Sequence, residues 1–442
     1  MADKGIQQEE MERKIYRHKR RVRNQIISYI VITIIFAGLI AGGIIGVRKI
    51  VDIINDKKQA EELEKQLEEI SNAEDGQQAV EAPSEGLEPE PEEETDWLEG
   101  MVEESIAGMT LEDKVAGLFF ITPEALTGMD TVTQAGDTTR DKLGEQPVGG
   151  LIYSSKNMLD EAQLKEMLQN TKSYSKSAIF LGVEEEGGSI SPVAESGLAE
   201  NVGKMADIGA SADASAAQNA GDTIGSYLAG YGFNVNFAPV ADVMAEGNTL
   251  IGDRAFGTDQ GQVSSMVSAF VEGSQAAGVS TCLKYFPGLG DVTGNASEGM
   301  ITSDKAIESF MERDFPAYQS GISAGADFVM VSHLSLPNVT GDNTPSSLSG
   351  KMVTEILRQQ LGFTGIIITD AMNVAAITEY YTADEAAVKA LQAGADMIFM
   401  PEDYATAYTG VLEAVQSGSL TEEQINESLR RIFRVKLRDR LE

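Results

Sequence analysis

The sequence predicts an α/β protein whose folded part, residues 97–442, is a (β/α)8 TIM-type barrel. Three observations carry that expectation. Eight short apolar runs recur along the chain, at 117–121, 150–153, 178–183, 235–239, 279–284, 328–332, 365–369 and 397–400. Segments with helical periodicity separate most of them, among them 164–175, 212–231, 262–278 and 352–361. The seventh run places Ile366, Ile367 and Ile368 in succession after Gly365, the pattern of a strand buried on both faces of a helix-covered parallel sheet. Eight strands alternating with helices argue for a closed barrel. A doubly wound open sheet is the competing arrangement, but no Gly-x-Gly-x-x-Gly follows the first strand.

Taken in order, the chain opens with a basic segment, 1–25, carrying Arg13, Lys14, Arg17, Lys19, Arg20, Arg21 and Arg23. Residues 26–47 contain no charge and would span about 33 Å as a helix, enough to cross a bilayer. With basic residues before it, this run reads as a transmembrane signal anchor with its N-terminus in the cytoplasm. A cleaved signal peptide is the alternative, but the run is long and no small-x-small site follows it. The expected location is therefore a single-pass protein of the cytoplasmic membrane, with everything after Arg48 outside. Residues 48–72 place Ile53, Ala60, Leu63, Leu67 and Ile70 near a seven-residue repeat, with Asp56 on the seam. That reads as a solvated stalk helix, with weak self-association through the stalk as a further option. Residues 73–96 form an acidic linker: from 74 to 99 there are eleven acidic residues and no basic one, with Pro83, Pro89 and Pro91 interspersed. Within the barrel, Thr110–Asp113, Thr382–Glu385 and Thr421–Gln424 resemble helix-starting capping boxes. The last helix, expected over 422–440, puts Ile425, Leu429, Ile432 and Phe433 on one face.

Composition narrows the function. With 69 acidic against 34 basic residues, nucleic acid is not an expected partner. The single cysteine, Cys282, excludes an intramolecular disulfide and a thiolate zinc site. It lies in an apolar run and reads as a buried, inert thiol. Only His18 and His333 are histidines, so any histidine chemistry in the barrel falls to His333.

If the barrel closes, the loops after its strands share one face. There they bring Glu184–Glu185–Glu186 after the third strand, Asp242 and Arg254 after the fourth, and Lys284, Tyr285 and Asp291 at the fifth. His333 follows the sixth, Asp370 the seventh, and Glu402 and Asp403 the eighth. Carboxylates surrounding one Arg, one Lys and one His suit a polyhydroxylated neutral ligand, since a carboxylate accepts hydrogen bonds from vicinal hydroxyls. Arg254 and Lys284 would oppose a cation, and no cluster has metal-ligand spacing, so neither metal nor cofactor is expected. For Asp370 the alternative role is an N-cap of the next helix. For Glu185, Glu402 and Asp403 it is an ordinary solvated loop acid.

Six motifs occur in order: Thr110-Leu-Glu-Asp-Lys-Val, Glu184-Glu-Glu-Gly-Gly, Asn236-Phe-Ala-Pro-Val-Ala-Asp-Val, Ile251-Gly-Asp-Arg-Ala-Phe-Gly, Lys284-Tyr-Phe-Pro-Gly and Gly362-Phe-Thr-Gly-Ile-Ile-Ile-Thr-Asp-Ala-Met. Together they resemble glycoside hydrolase family 3, in its single-barrel β-N-acetylhexosaminidase branch, over about 101–442. The resemblance implies a retaining glycosidase in which Asp370, after the seventh strand, attacks the anomeric carbon. It also implies that Arg254 and Lys284 bind sugar hydroxyls and that His333 matches a family histidine lining the pocket.

The departures are local. The family's fifth-strand loop reads Lys-His-Phe-Pro-Gly-His-Gly and is followed by an Asp-x-His pair serving as general acid/base. Here its histidines become Tyr285 and Leu289, and the pair becomes Asn295-Ala-Ser297. The aspartate opening the third-strand motif is Glu184, and the arginine after its glycines is Ser189. Ser297 cannot relay protons near neutral pH, and acid/base assistance is worth about 10²–10⁴-fold. Glu298 and Asp291, on the same loop, are the candidate replacements, with solvated loop acids as their alternative role. Glu184 and Tyr285 should reshape the sugar pocket. Two functions follow: a retaining glycosidase with an altered acid/base, acting on amino-sugar glycans such as cell-wall fragments, or a catalytically silent glycan-binding relative.

Overall fold

The computed structural model describes residues 91–438. The basic segment, the apolar run 26–47, the stalk and all but the end of the acidic linker lie outside the described residues. Among the described residues, no helix is long and apolar enough to cross a membrane. The first described helix is Pro91–Ala107, so helical structure starts six residues before the expected domain boundary at 97. Proline is well placed in a first helical turn.

All eight expected strands form. In chain order they are β1 Phe119–Ile121, β2 Gly150–Tyr153, β3 Phe180–Val183, β4 Val235–Asn236, β5 Ser280–Phe286, β6 Phe328–Val331, β7 Ile366–Thr369 and β8 Ile398–Phe399. Neighbours pair in parallel from β1 to β7, and β8 pairs back onto β1 through Phe119 with Ile398 and Phe120 with Phe399. A parallel bridge between Ile368 and Met397 joins the last two staves and closes the barrel. The eight-stranded barrel is thus established and the open sheet excluded. Strand β5 runs two residues further than expected, through Phe286, with a register irregularity between Leu283 and Phe286. A separate two-stranded ribbon, Ile301–Thr302 with Leu334–Ser335, was not anticipated.

The barrel interior explains two strand glycines. Phe120, Phe237 and Phe399 pack ring against ring, with centroids 5.0 Å and 4.8 Å apart. A Cβ on Gly182 would lie 2.8 Å from both the Phe120 and Phe237 rings, and one on Gly150 would lie 2.5 Å from Phe120. Small residues on β2 and β3 therefore make room for large ones on their neighbours, as close-packed interiors require.

The outer layer follows the sequence signals. Thr110 and Thr421 hydroxyls accept the N–H of Asp113 and Gln424, and Thr382 with Glu385 forms a reciprocal capping box. The last described helix, Glu422–Arg438, buries Ile425, Leu429, Ile432 and Phe433. Arg434 and Arg430 tie it to Glu99 and Glu103 of the first helix. Segment Lys351–Gln360 is wound as a π-helix rather than the α-helix its periodicity suggests.

Candidate active site

The chemistry-bearing residues gather where β3, β5, β6 and β7 end. Asp370 directly follows β7. Its N–H donates to Val331 O at 2.9 Å, and its Oδ1 accepts from Ala371 N–H at 2.8 Å. It caps no helix: the next one, Ala375–Thr378, has Val374 as its N-cap. Asp370 is half-buried, and desolvation pushes its carboxyl above the ordinary aspartate value against the opposing pull of the Ala371 N–H and Lys284. A carboxylate short of water and hydrogen bonds is a better nucleophile than a fully solvated one.

His333 stands behind it. It is buried, with Nε2 2.9 Å from Ala371 O and Nδ1 2.7 Å from the Ser347 hydroxyl. A carbonyl can only accept, so Nε2 carries the proton and Nδ1 accepts from Ser347. Desolvation holds the imidazole below its ordinary pKa, hence neutral. Both nitrogens are thus used by the protein, tying the loop that carries Asp370 to Ser347.

A second group builds the cationic wall. Lys284 Nζ lies 2.9 Å from Glu184 Oε1 and 2.5 Å from Glu186 Oε1. Arg254 makes a bidentate pair with Glu186, 2.7 Å for each bond, and donates to the Tyr285 hydroxyl at 2.6 Å. The Tyr285 ring lies against both cations, 5.4 Å from the guanidinium carbon and 5.1 Å from Nζ. Burial disfavours each charge, but the pairing outweighs it. Glu186 is held below its ordinary value by Lys284 and Arg254, and Lys284 well above its own by Glu184 and Glu186. Glu184 is the more exposed carboxylate of the pair on Lys284. Sequence reasoning passed over Glu186 as a site residue. The available signal was spacing: it stands two residues after Glu184, where an extended chain returns to the same side.

Glu185 is a correction. It is buried rather than solvated, and its carboxylate accepts from the N–H groups of Val193 and Ala194 and from the Tyr227 hydroxyl. Glu402 and Asp403 are exposed as expected, with Asp403 capping helix Tyr404–Ser417.

The loop after β5 is pinned from below. Asp242 is buried and accepts from Leu289 N–H at 2.9 Å. Desolvation and the neighbouring Asp314 push its pKa well above the ordinary range. Gly288 (φ 132°) and Gly290 allow the close approach: a Cβ would meet Asp314 Cγ at 2.7 Å or Val243 O at 2.1 Å. Asp291 is drawn towards two cations, Lys305 and Arg313, which both engage its Oδ2, an ion-pair setting unlike the usual surroundings of a general acid. Asn295 accepts the Ser297 N–H at 3.0 Å, so this pair forms a turn. Glu298 is exposed, and its side chain has no protein partner among the described residues. The segment is anchored to the Asp370 loop by the Ala376 N–H, which donates to Ala296 O at 2.9 Å. Glu298 therefore sits on a loop attached to that of Asp370. Glu379, whose Oε2 is 3.9 Å from where a Gly299 Cβ would sit, is a carboxylate there that sequence reasoning missed. No local motif distinguishes it.

Comparison with known proteins agrees with this geometry. Residues 110–435 match the model of the glycosyl hydrolase family 3 N-terminal domain. The chain is 28% identical to beta-hexosaminidase A of Pseudoalteromonas piscicida over 66% of its own length and 54% of that protein. It is 31% identical to the beta-hexosaminidase of Stenotrophomonas maltophilia, covering 64% of this chain and 84% of the relative. Among solved structures, a glycoside hydrolase family 3 beta-N-acetylglucosaminidase from Paenibacillus superposes with a TM-score of 0.69 and 32% identity, over 76% of this chain and 63% of that one. The chain thus spans about half of the first of these relatives and under two thirds of the Paenibacillus chain. A family match across most of the barrel, on a closed eight-stranded fold with an aspartate at the end of β7, makes this protein a member of glycosyl hydrolase family 3.

Proposed function

We propose that the protein is a retaining β-glycosidase, β-N-acetylhexosaminidase-like, that removes terminal amino-sugar residues from cell-wall or other glycans outside the membrane. The observation that carries this reading is Asp370 at the end of β7, within electrostatic reach of Lys284 and Glu184. Lys284, Arg254 and Glu184 hold the sugar hydroxyls, and Asp370 attacks the anomeric carbon as the glycosidic bond breaks. The leaving oxygen takes a proton from Glu298, and water activated by the same group then releases the sugar, restoring Asp370. His333 keeps Asp370 in line without exchanging protons. The beta-hexosaminidase names of the relatives support the amino-sugar assignment. The uncharged run 26–47 behind a basic segment supports a membrane anchor that holds the barrel outside the cytoplasm.

The test is hydrolysis of chromogenic N-acetyl-β-glucosaminide and β-glucoside by the full-length protein in mild detergent, beside Asp370→Asn and Glu298→Gln. Turnover lost in the first variant and reduced about 10²–10⁴-fold in the second supports the reading. The committed Asp291 and the Asn295–Ser297 turn favour a second reading, a glycan-binding relative without turnover. Sugar binding by both wild type and Asp370→Asn, with no hydrolysis by either, would establish that one.

A further inference from the structure

Two carboxyl groups are buried together beneath the loop after β5, and they are held differently. Asp242, in the loop after β4, is fully buried, and Asp314, between helices Ile307–Arg313 and Phe315–Ser323, is 1% exposed. Asp314 is paired with Arg313, whose Nε and Nη2 each donate to one of its oxygens at 3.2 Å. Asp242 has neutral partners. Its Oδ1 accepts from the Leu289 N–H at 2.9 Å and the Tyr318 hydroxyl at 3.4 Å, while its Oδ2 has no hydrogen-bond partner among the described residues. A bare, buried carboxylate oxygen is costly when charged and far less so when protonated.

The charges facing the pair do not cancel. Arg254 and Arg313 act on Asp242 against Asp314, Lys305 acts on Asp314, and Tyr318 borders both carboxyls. Desolvation and then Asp314 still leave Asp242 well above the ordinary range, and desolvation pushes Asp314 up to about 6. Both carboxyls press on successive residues of one turn. Leu289 donates to Asp242, and at Gly288 a Cβ would lie 2.7 Å from Asp314 Cγ. Ala245 N–H donates to Gly290 O at 2.7 Å, and Asn248 Nδ2 donates to the carbonyls of Leu289 and Val292 at 2.9 Å and 3.1 Å. The chain leaves this turn towards Glu298. On the opposite side Tyr318 and Phe315 pack against Phe286, with centroids 5.4 Å and 5.2 Å away. The turn is therefore the side that can yield.

We propose that Asp242 is a positioning residue for the glycosidase reaction: as an uncharged carboxyl it holds the Gly288–Val292 turn, and giving up its proton to water releases that turn and the stretch leading to Glu298. The consequence for turnover rests on the glycosidase reading; the movement of the turn does not. Asp242 binds its proton more tightly with the turn in place than when hydrated, where an aspartate titrates near about 3.9, so the closed turn weakens as pH rises.

The test is a fluorescent reporter on the loop. Thr293 is exposed and the native Cys282 is fully buried, so Thr293→Cys in the full-length protein, in mild detergent, takes a polarity-sensitive maleimide dye at one place. Its emission should show a reversible transition between about pH 5 and about pH 9, the span over which buried carboxyls titrate. Asp242→Asn keeps an acceptor for Leu289 and cannot ionise, so it should hold the low-pH signal throughout. Asp314→Asn should move the transition to lower pH, because the neighbouring anion no longer opposes ionisation. In turnover, the alkaline fall of kcat should begin at higher pH in Asp242→Asn than in wild type, with KM little changed. Absence of turnover at every pH would count against the glycosidase reading, while the dye would still decide the movement of the turn. A dye signal flat with pH in the otherwise native chain, or the same transition in Asp242→Asn, would overturn the proposal.

Discussion

Glu186→Gln should be the most costly single-atom change in the wall built by Lys284 and Arg254. In the native barrel both Glu186 oxygens are taken: Oε1 by Lys284 and Arg254, Oε2 by Arg254 Nε. Glu186 and Lys284 are each only 1% exposed in their side chains. A glutamine keeps one acceptor and turns an NH2 donor on the other side, so one N–H is forced to face another donor, from Arg254 or Lys284. Removing one partner of a buried ion pair costs about 3–5 kcal/mol. The lower end applies here, because Lys284 retains Glu184 and Arg254 retains the Tyr285 hydroxyl. At about 2.1 cal/mol/K per residue across the described barrel, a loss of about 3 kcal/mol corresponds to a fall in Tm of roughly 4 °C. The effect also has a pH signature. The folded-state pKa of Glu186 lies below its ordinary value. Its stabilisation is therefore complete above the unfolded value, about 4.3, and is lost as pH falls through that value towards the folded one. Thermal unfolding of wild type and variant at pH 7 and in steps down to about pH 2 reads both quantities. The gap should be widest at pH 7 and close on the acid side. A gap below about 1 kcal/mol at pH 7, or one that does not change with pH, would refute the claim that this pair is electrostatically committed.

Three further outcomes follow from the same geometry. Asp370→Asn should abolish turnover yet unfold at a higher temperature than wild type at pH 7, because it removes a carboxylate whose ionisation desolvation opposes; a less stable variant would contradict the burial argument. The His333 pKa is lowered in the fold, so the unfolded chain binds its proton first, and stability should decline as pH drops below about 6.5 towards the folded value. Urea unfolding across that interval should show less of this decline in His333→Gln. Gly182→Ala forces a Cβ within 2.8 Å of two phenylalanine rings, and denaturant unfolding should register a loss of about 1–3 kcal/mol.

The barrel was legible because its signals are repetitive. Apolar runs such as Ile366–Ile368, buried on both faces, mark the strands, and threonine caps mark three helix starts. The motifs also located Asp370, Arg254 and Lys284, since each stands at a strand end or in the loop after one. What stayed hidden depends on contacts between distant segments. Glu185 reads as a loop acid, but Asn236 pairs with its backbone and Tyr227 with its carboxylate, across about fifty and forty residues respectively. Nothing near Asp291 announces that Arg313 and Lys305 will claim it. His333 carries a family position but not its tautomer, which is decided by Ser347 and Ala371. The spacing of Glu184 and Glu186 was visible, yet which one would be locked depended on Arg254 folding back over sixty-eight residues.

The central claim is that Asp370 forms a covalent bond to the sugar, and trapping that bond tests it most directly. The full-length protein would be incubated with a 5-fluoro glycosyl fluoride of N-acetylglucosamine, digested, and its labelled peptide sequenced by mass spectrometry. The account predicts one fluorosugar per chain, attached to Asp370 and absent from Asp370→Asn. A label on another carboxylate, or unimpaired turnover by Asp370→Asn with no label on the wild type, would contradict it.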